Sequence, residues 1–149
     1  AELYPHLLVS NHPRWRVHAQ HDDMPWTREI RTCKVKGPDG YLYEPIWIHP
    51  SDAAKYDLKD GDVAELFNER GRVLGGIYVT ERIMPTVLYQ DHGARTDILE
   101  YGVGGNHSDL RNNRLQEYLV AICIRLHIWY PRLTRSDQRS FAGASDLWR

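Results

Sequence analysis

The feature that most constrains this chain is a succession of short strand-like segments bounded by turn residues, at 6–10, 29–36, 41–48, 63–68, 72–79, 86–91 and 117–126. Short runs bounded by Gly, Pro, Asn and Asp are strand signals, so the chain reads as mainly β with short helices. Gly37-Pro38-Asp39-Gly40 predicts a hairpin, because Pro presets φ for a turn and Gly supplies a positive φ. Asn68-Glu69-Arg70-Gly71 predicts another. His49-Pro50-Ser51-Asp52 reads as a helix start, with Pro at the first helical position and an acid in the electropositive first turn. That helix is expected to stop near Tyr56, and Lys59-Asp60-Gly61-Asp62 to turn the chain into the run at Val63. The apolar run at 118–124 suits either a buried strand or a core helix, and is read as a strand. Val120, Ile122 and Ile124 then share one face, and Leu119, Ala121 and Cys123 the other.

With 149 residues, 42% hydrophobic and 26% charged, the chain is expected to form one globular unit. A chain of this size buries roughly two thirds of its unfolded surface, so Cys33 and Cys123 need not be bridged to hold a core together. A net charge of −1 excludes any bulk electrostatic case for binding nucleic acid or acidic lipid. The apolar run at 118–124 is far shorter than the roughly 20 residues of a membrane span. The opening Ala1-Glu2-Leu3-Tyr4-Pro5 has no initiator Met, basic region or apolar leader, and reads as a piece of a longer polypeptide. Two cysteines leave the compartment open between cytoplasm and periplasm. Residues 1–130 are assigned to one β-barrel domain and 131–149, where the apolar pattern fades, to a polar C-terminal arm.

The densest polar segment follows the first run: Asn11-His12-Pro13-Arg14-Trp15-Arg16-Val17-His18-Ala19-Gln20-His21-Asp22-Asp23. Loops after strands are where sites sit. Imidazole and carboxylate together can ligate a metal, but no pair here has the i, i+4 spacing or paired cysteines of a metal motif. Alternatively Arg16 offers a planar fork to an anion, while Asn11, His18 and Gln20 can read the nitrogens and carbonyls of a heterocycle. A solvated loop with local capping is the third reading. Gln90-Asp91-His92-Gly93-Ala94-Arg95 forms a second polar cluster, and the glycine-rich segment at 102–110 a third. The third lacks the Lys-Ser/Thr ending of a phosphate-binding loop. Cys33 lies among alternating strand residues, and Ser10, Ser51 and Ser108 lack the strained elbow of an acyl-transfer serine. Residue by residue, the chain is a ligand-binding β domain without a complete catalytic set.

Taken in order, these segments resemble the C-terminal cofactor-binding domain of the dimethyl sulfoxide reductase family of molybdenum and tungsten enzymes, over residues 4 to 126. That family opens the domain with a strand and a loop Pro-x-x-Arg-x-His-Ser-Gln, matched by Pro13, Arg16, His18 and Gln20, with Ala19 at the Ser position. Asn-Pro-x-Asp-Ala follows, matched by Pro50, Asp52 and Ala53 with His49 for the Asn, then Gly61-Asp62, Asn68, Arg70-Gly71 and His92-Gly93. Gly104-Gly105-Asn106-His107 partly matches the late Gly-Gly-x-x-Asn motif. Residues 43–48 and 80–85 are similar to the aromatic transhydroxylase branch.

The resemblance implies a double-psi β-barrel that, jointly with the remaining domains of the same enzyme, clasps two molecules of molybdopterin guanine dinucleotide around Mo or W. It implies Asn11, His12, Arg16, His18, Ala19, Gln20, His92, Gly93 and Asn106 as cofactor-binding residues. It implies no catalytic residue and no metal ligand in this chain, since the protein ligand to the metal comes from an earlier domain. The isolated domain is then expected to be inactive, and an iron-sulfur electron-transfer subunit is a conceivable partner of the whole enzyme. Two other classes stand beside this one. One is a free-standing β-barrel module that binds a peptide or small ligand; the other is a small metal hydrolase using His12, His18, His21 and Asp22.

Overall fold

The computed structural model describes residues 5–68 and 71–94, and the backbone of 122–128. Its elements in order are β1 (His6–Val9), α1 (Pro25–Arg28), β2 (Val35–Lys36), β3 (Leu42–Tyr43), β4 (Pro45–Ile48), α2 (Pro50–Lys55), β5 (Val63–Asn68), β6 (Gly71–Val79), β7 (Val87–Tyr89) and β8 (Ile122–Ile128). Six strands close a barrel in the order β1-β7-β4-β6-β5-β8, and β8 pairs back onto β1. Neighbours β1 and β7 are parallel, as are β4 and β6. The path from β4 to β5 passes over β6, and the path from β6 to β7 passes over β4. Two such interlocked crossovers make the barrel a double-psi β-barrel.

Period-2 alternation places the core. On β6, Val73 and Ile77 point inward to join Leu8, Ile46, Ile48, Ala64, Leu66 and Leu88, all essentially without solvent exposure. Leu74 points outward, yet it is buried as well, against Tyr43 and Val63. The β2–β3 hairpin lies over this outer face, which is why β5 shows four consecutive buried residues instead of alternation. Gly76 makes the fit possible, since a Cβ there would fall 2.6 Å from the Cβ of Val35. Burying each such aliphatic side chain contributes about 1.5–3 kcal/mol.

The turns form as their residues require. Gly37-Pro38-Asp39-Gly40 joins β2 to β3 with Gly40 at φ 86°, and Gly61 turns the chain into β5 at φ 92°. The pairing of Asn68 with Gly71 fixes the two-residue β5–β6 connection. In α2, His49 caps by accepting the Ser51 N–H at 3.2 Å, Pro50 opens the helix, and Asp52 lies in the first turn. Asp52 is fully buried and takes the Thr86 N–H at 2.5 Å and Lys55 Nζ at 2.7 Å, which ties α2 to the segment entering β7.

Two expected strands are interrupted. In 29–36 only Val35 and Lys36 are strand. Pro25 starts the single-turn helix α1, and the chain continues through turns with Cys33 N–H and Lys34 N–H both on Ile30 O, which buries Thr27, Cys33 and Lys34. The run 41–48 is interrupted at Glu44, whose carbonyl still accepts the Gly76 N–H at 2.9 Å and whose buried carboxylate meets two cations. Of the run 117–126, positions 122–126 are strand, which continues to Ile128; 117–121 and the arm at 131–149 lie outside the described residues. Cys33 carries a free, buried thiol that burial pushes up in pKa, in line with an inert role.

Candidate cofactor site

Parallel pairing brings the C-terminal ends of β1 and β7 to the same rim of the barrel, so the loops that follow them leave side by side. Backbone bonds continue the pairing beyond the strands, with Gln90 N–H on Val9 O at 3.1 Å and His92 N–H on Asn11 O at 3.2 Å. The first loop then folds into a tight turn in which Val17 and Gln20 exchange backbone bonds of 3.3 and 2.9 Å. His18 occupies that turn at φ 51°, in the left-handed region that costs an L-residue roughly 1–2 kcal/mol. Its ring is thereby delivered toward the second loop.

Three imidazoles meet there. Ring centroids lie 4.8 Å apart for His12 and His18, 4.5 Å for His12 and His92, and 5.3 Å for His18 and His92. One ring nitrogen from each falls within 4.8 Å of the other two. His12 and His18 are exposed and His92 is half-buried. Gly93, at φ 75°, completes the arrangement: a Cβ there would stand 2.9 Å from both Cα and Nδ1 of His18. Burial, then the neighbouring His12 and His18, lower the pKa of His92, so its ring is neutral at pH 7. Ala19 and Gln20 sit exposed at the tip of the same turn, and Asn11 is exposed as well. Asn106 lies outside the described residues.

Beneath the imidazoles lies a dry layer of charge. Arg16 Nη2 donates to Glu44 Oε2 at 2.9 Å, and Arg16 Nε stands 3.5 Å from Asp22 Oδ1. Lys34 Nζ lies 2.8 Å from the same Asp22 oxygen and also binds Glu44. All four side chains are at most 4% exposed. Two cations face two carboxylates directly, with the buried Asp91 carboxyl also in their field, and such mutual compensation is the condition under which buried charge is tolerated. Burial pushes the Glu44 carboxyl upward in pKa, while Lys34 and Arg16 oppose it. Arg16 Nη2 also reaches His92 O at 3.5 Å, so the layer holds both loops. Its Nη1 is buried and has no partner among the described residues.

Of the expected site residues, the structure therefore gathers His12, His18, His92 and Gly93 at one point, with Asn11 joined through its carbonyl. Arg16 lies under them. His21 lies outside the histidine cluster, and Asp22 is committed to the ion layer, so the hydrolase set of His12, His18, His21 and Asp22 is not assembled. Lys34 and Glu44 were not singled out in the sequence. The one hint was a carboxylate in the otherwise apolar run 41–48. A groove of about 910 Å³ between α1, the β2–β3 hairpin and Asp60 contains none of the histidines.

Residues 7–121 match the family described as the molydopterin dinucleotide binding domain. The chain belongs to that family. Among curated proteins, the domain is 37% identical to trimethylamine-N-oxide reductase of Haemophilus influenzae over 101 residues, covering 68% of this chain and 11% of that protein. It is 35% identical to the dimethyl sulfoxide/trimethylamine N-oxide reductase of Cereibacter sphaeroides over 97 residues, covering 65% and 11%. The molydopterin dinucleotide binding domain thus spans about a tenth of the length of these relatives. Acetylene hydratase from Pelobacter acetylenicus is a structural neighbour at TM-score 0.48 and 16% identity, over 64% of this chain and 12% of that one. The domain is that of the dimethyl sulfoxide reductase family, and its role is to bind a molybdopterin cofactor. No described helix is long and apolar enough to cross a membrane.

The rim fits such a group. A dinucleotide carries an anionic pyrophosphate between two flat heterocycles, and exposed imidazoles donate to phosphate oxygens and stack on rings. Gly93 leaves that approach free of a side chain.

Proposed function

We propose that the loops after β1 and β7 hold one molybdopterin guanine dinucleotide, with Mo or W, inside a larger oxidoreductase of the dimethyl sulfoxide and trimethylamine N-oxide reductase type. The observation that carries this reading is the convergence of His12, His18 and His92 at the ends of two parallel strands, over a glycine that keeps the space open. Asn11, Ala19 and Gln20 extend the contact surface along the same loop, and Asn106 is assigned to it from its motif. When bound, the cofactor supplies the metal centre through which electrons pass. This chain's residues bind and orient it. His92, neutral at pH 7, contributes a hydrogen-bonding ring.

Arg16 acts as a positioning residue. Its Nη2 is taken by Glu44 and reaches the His92 carbonyl, so it fixes the height of both loops. Residues 1–130 form the cofactor-binding barrel and 131–149 an arm against the remaining domains of the enzyme, which supply the protein ligand to the metal. An iron-sulfur subunit is the class of partner that would exchange electrons with the assembled enzyme. The domain alone is inactive in this reading.

The test is cofactor retention. The full-length enzyme carrying His12→Gln and His18→Asn is purified in chelator and its molybdopterin and metal content measured against wild type. Content at least tenfold lower is expected, since each lost contact to a charged group is worth about 1.5–3 kcal/mol. Unchanged content overturns the assignment.

A further inference from the structure

We propose that His12, His18 and His92 form a three-imidazole site that takes a divalent transition-metal ion, zinc being the simplest, when the cofactor is absent, and that ion and cofactor exclude each other. The exclusion rests on the cofactor reading given above; the metal site stands on the histidine geometry alone.

Three protein nitrogens with further positions open to water is the ligand set of many zinc sites. Zinc–nitrogen bonds of about 2.1 Å in a tetrahedral arrangement place the nitrogens about 3.4 Å apart. The three ring nitrogens already lie within 4.8 Å of one another. His12 and His18 are exposed, so small side-chain rotations close the difference without disturbing the core. The backbone needs no movement, because the His92 to Asn11 bond and the left-handed turn at His18 hold the loops in place. Among the described residues no carboxylate joins the cluster, and an all-imidazole set suits zinc, copper or nickel in preference to magnesium or calcium. Arg16 and Lys34 beneath the cluster are each paired with Glu44 and Asp22, which reduces their repulsion of a dication. The His12 to His18 interval and the distant His92 match no zinc sequence motif, which is why the site emerges only from the fold.

The test uses the full-length polypeptide carrying this chain, made in a host that cannot synthesise molybdopterin, stripped with chelator and dialysed against zinc chloride. Wild type is expected to hold about one zinc more per chain than the His12→Gln/His18→Asn variant. Cobalt(II) is expected to give an intense tetrahedral visible spectrum that the variant loses. Both substituted residues are exposed, and Asn tolerates the left-handed φ at 18, so the variant is expected to fold; a His92→Gln variant provides an independent second reading. Equal zinc content in wild type and both variants overturns the metal site. After loading with cofactor, the extra zinc is expected to be refused, and equal uptake before and after loading overturns the exclusion. Failure of the metal site leaves cofactor retention in chelator unaffected, so the two readings fail separately.

Discussion

Two polar layers meet at the rim of the barrel, a few ångströms apart, and obey opposite physics. The inner one, Arg16, Asp22, Lys34 and Glu44, is buried and linked by ion pairs. The outer one, His12, His18 and His92, is wet at two of its three members and has no ion pair among the described residues. Fixed groups give precision and exposed groups give binding capacity, so the inner layer sets where the loops stand and, in the reading proposed above, the outer layer grips the cofactor.

Removing one member of the inner layer is the harshest way to break this division. Glu44→Ala leaves two buried cations with Asp22 as their one direct ion-pair partner among the described residues, and a loss of about 3–5 kcal/mol in unfolding free energy is expected from denaturant melts. A loss below 1 kcal/mol would show that the layer is not a structural anchor. Gly93→Ala acts on the seam between the layers. A Cβ at φ 75°, 2.9 Å from His18, is expected to cost about 1–3 kcal/mol and to lower cofactor retention together with stability.

Acid sharpens the contrast from outside the rim. His6 is buried against Tyr56, with Nε2 2.7 Å from its hydroxyl oxygen. Burial lowers its pKa below 6.5, although Asp52 opposes the shift. A lowered folded-state pKa means that the unfolded chain binds the proton first. The His6 contribution is therefore intact above pH 6.5 and lost as pH falls through the lower folded value. Unfolding free energies measured from pH 7.5 to 5 are expected to fall, and to fall less in His6→Gln. An identical slope in the two proteins would remove His6 from the account. The smallest expected effect belongs to the outer layer: His12→Gln should change stability by no more than about 0.5 kcal/mol, while still weakening cofactor retention. A large loss of stability there would erase the distinction between the layers.

What could be read from the chain beforehand divides along the same line. Hairpin turns, the α2 start at Pro50 and the strands at 63–68 and 72–79 follow from local chemistry, and the structure places them where turn residues and alternation indicate. Local pattern could not show that 25–34 coils through a short helix, because burial of Thr27, Cys33 and Lys34 decides it. The loop histidines stood out by composition. Their convergence depends on β1 and β7 being parallel neighbours although nearly eighty residues separate Val9 from Tyr89, a fact of topology. Glu44 and Lys34 were illegible for a related reason: a charge looks solvated until its partners arrive from elsewhere in the chain.

The pairing of β8 with both β1 and β5 carries a consequence for how the molecule is made. Until residues 122–128 leave the ribosome, two strands present unsatisfied edges, the kind that recruits stray chains. The histidine loops rest on β1, β7 and the Lys34 and Glu44 side chains, all of which precede β8, so that end can assemble while the barrel is still an open sheet.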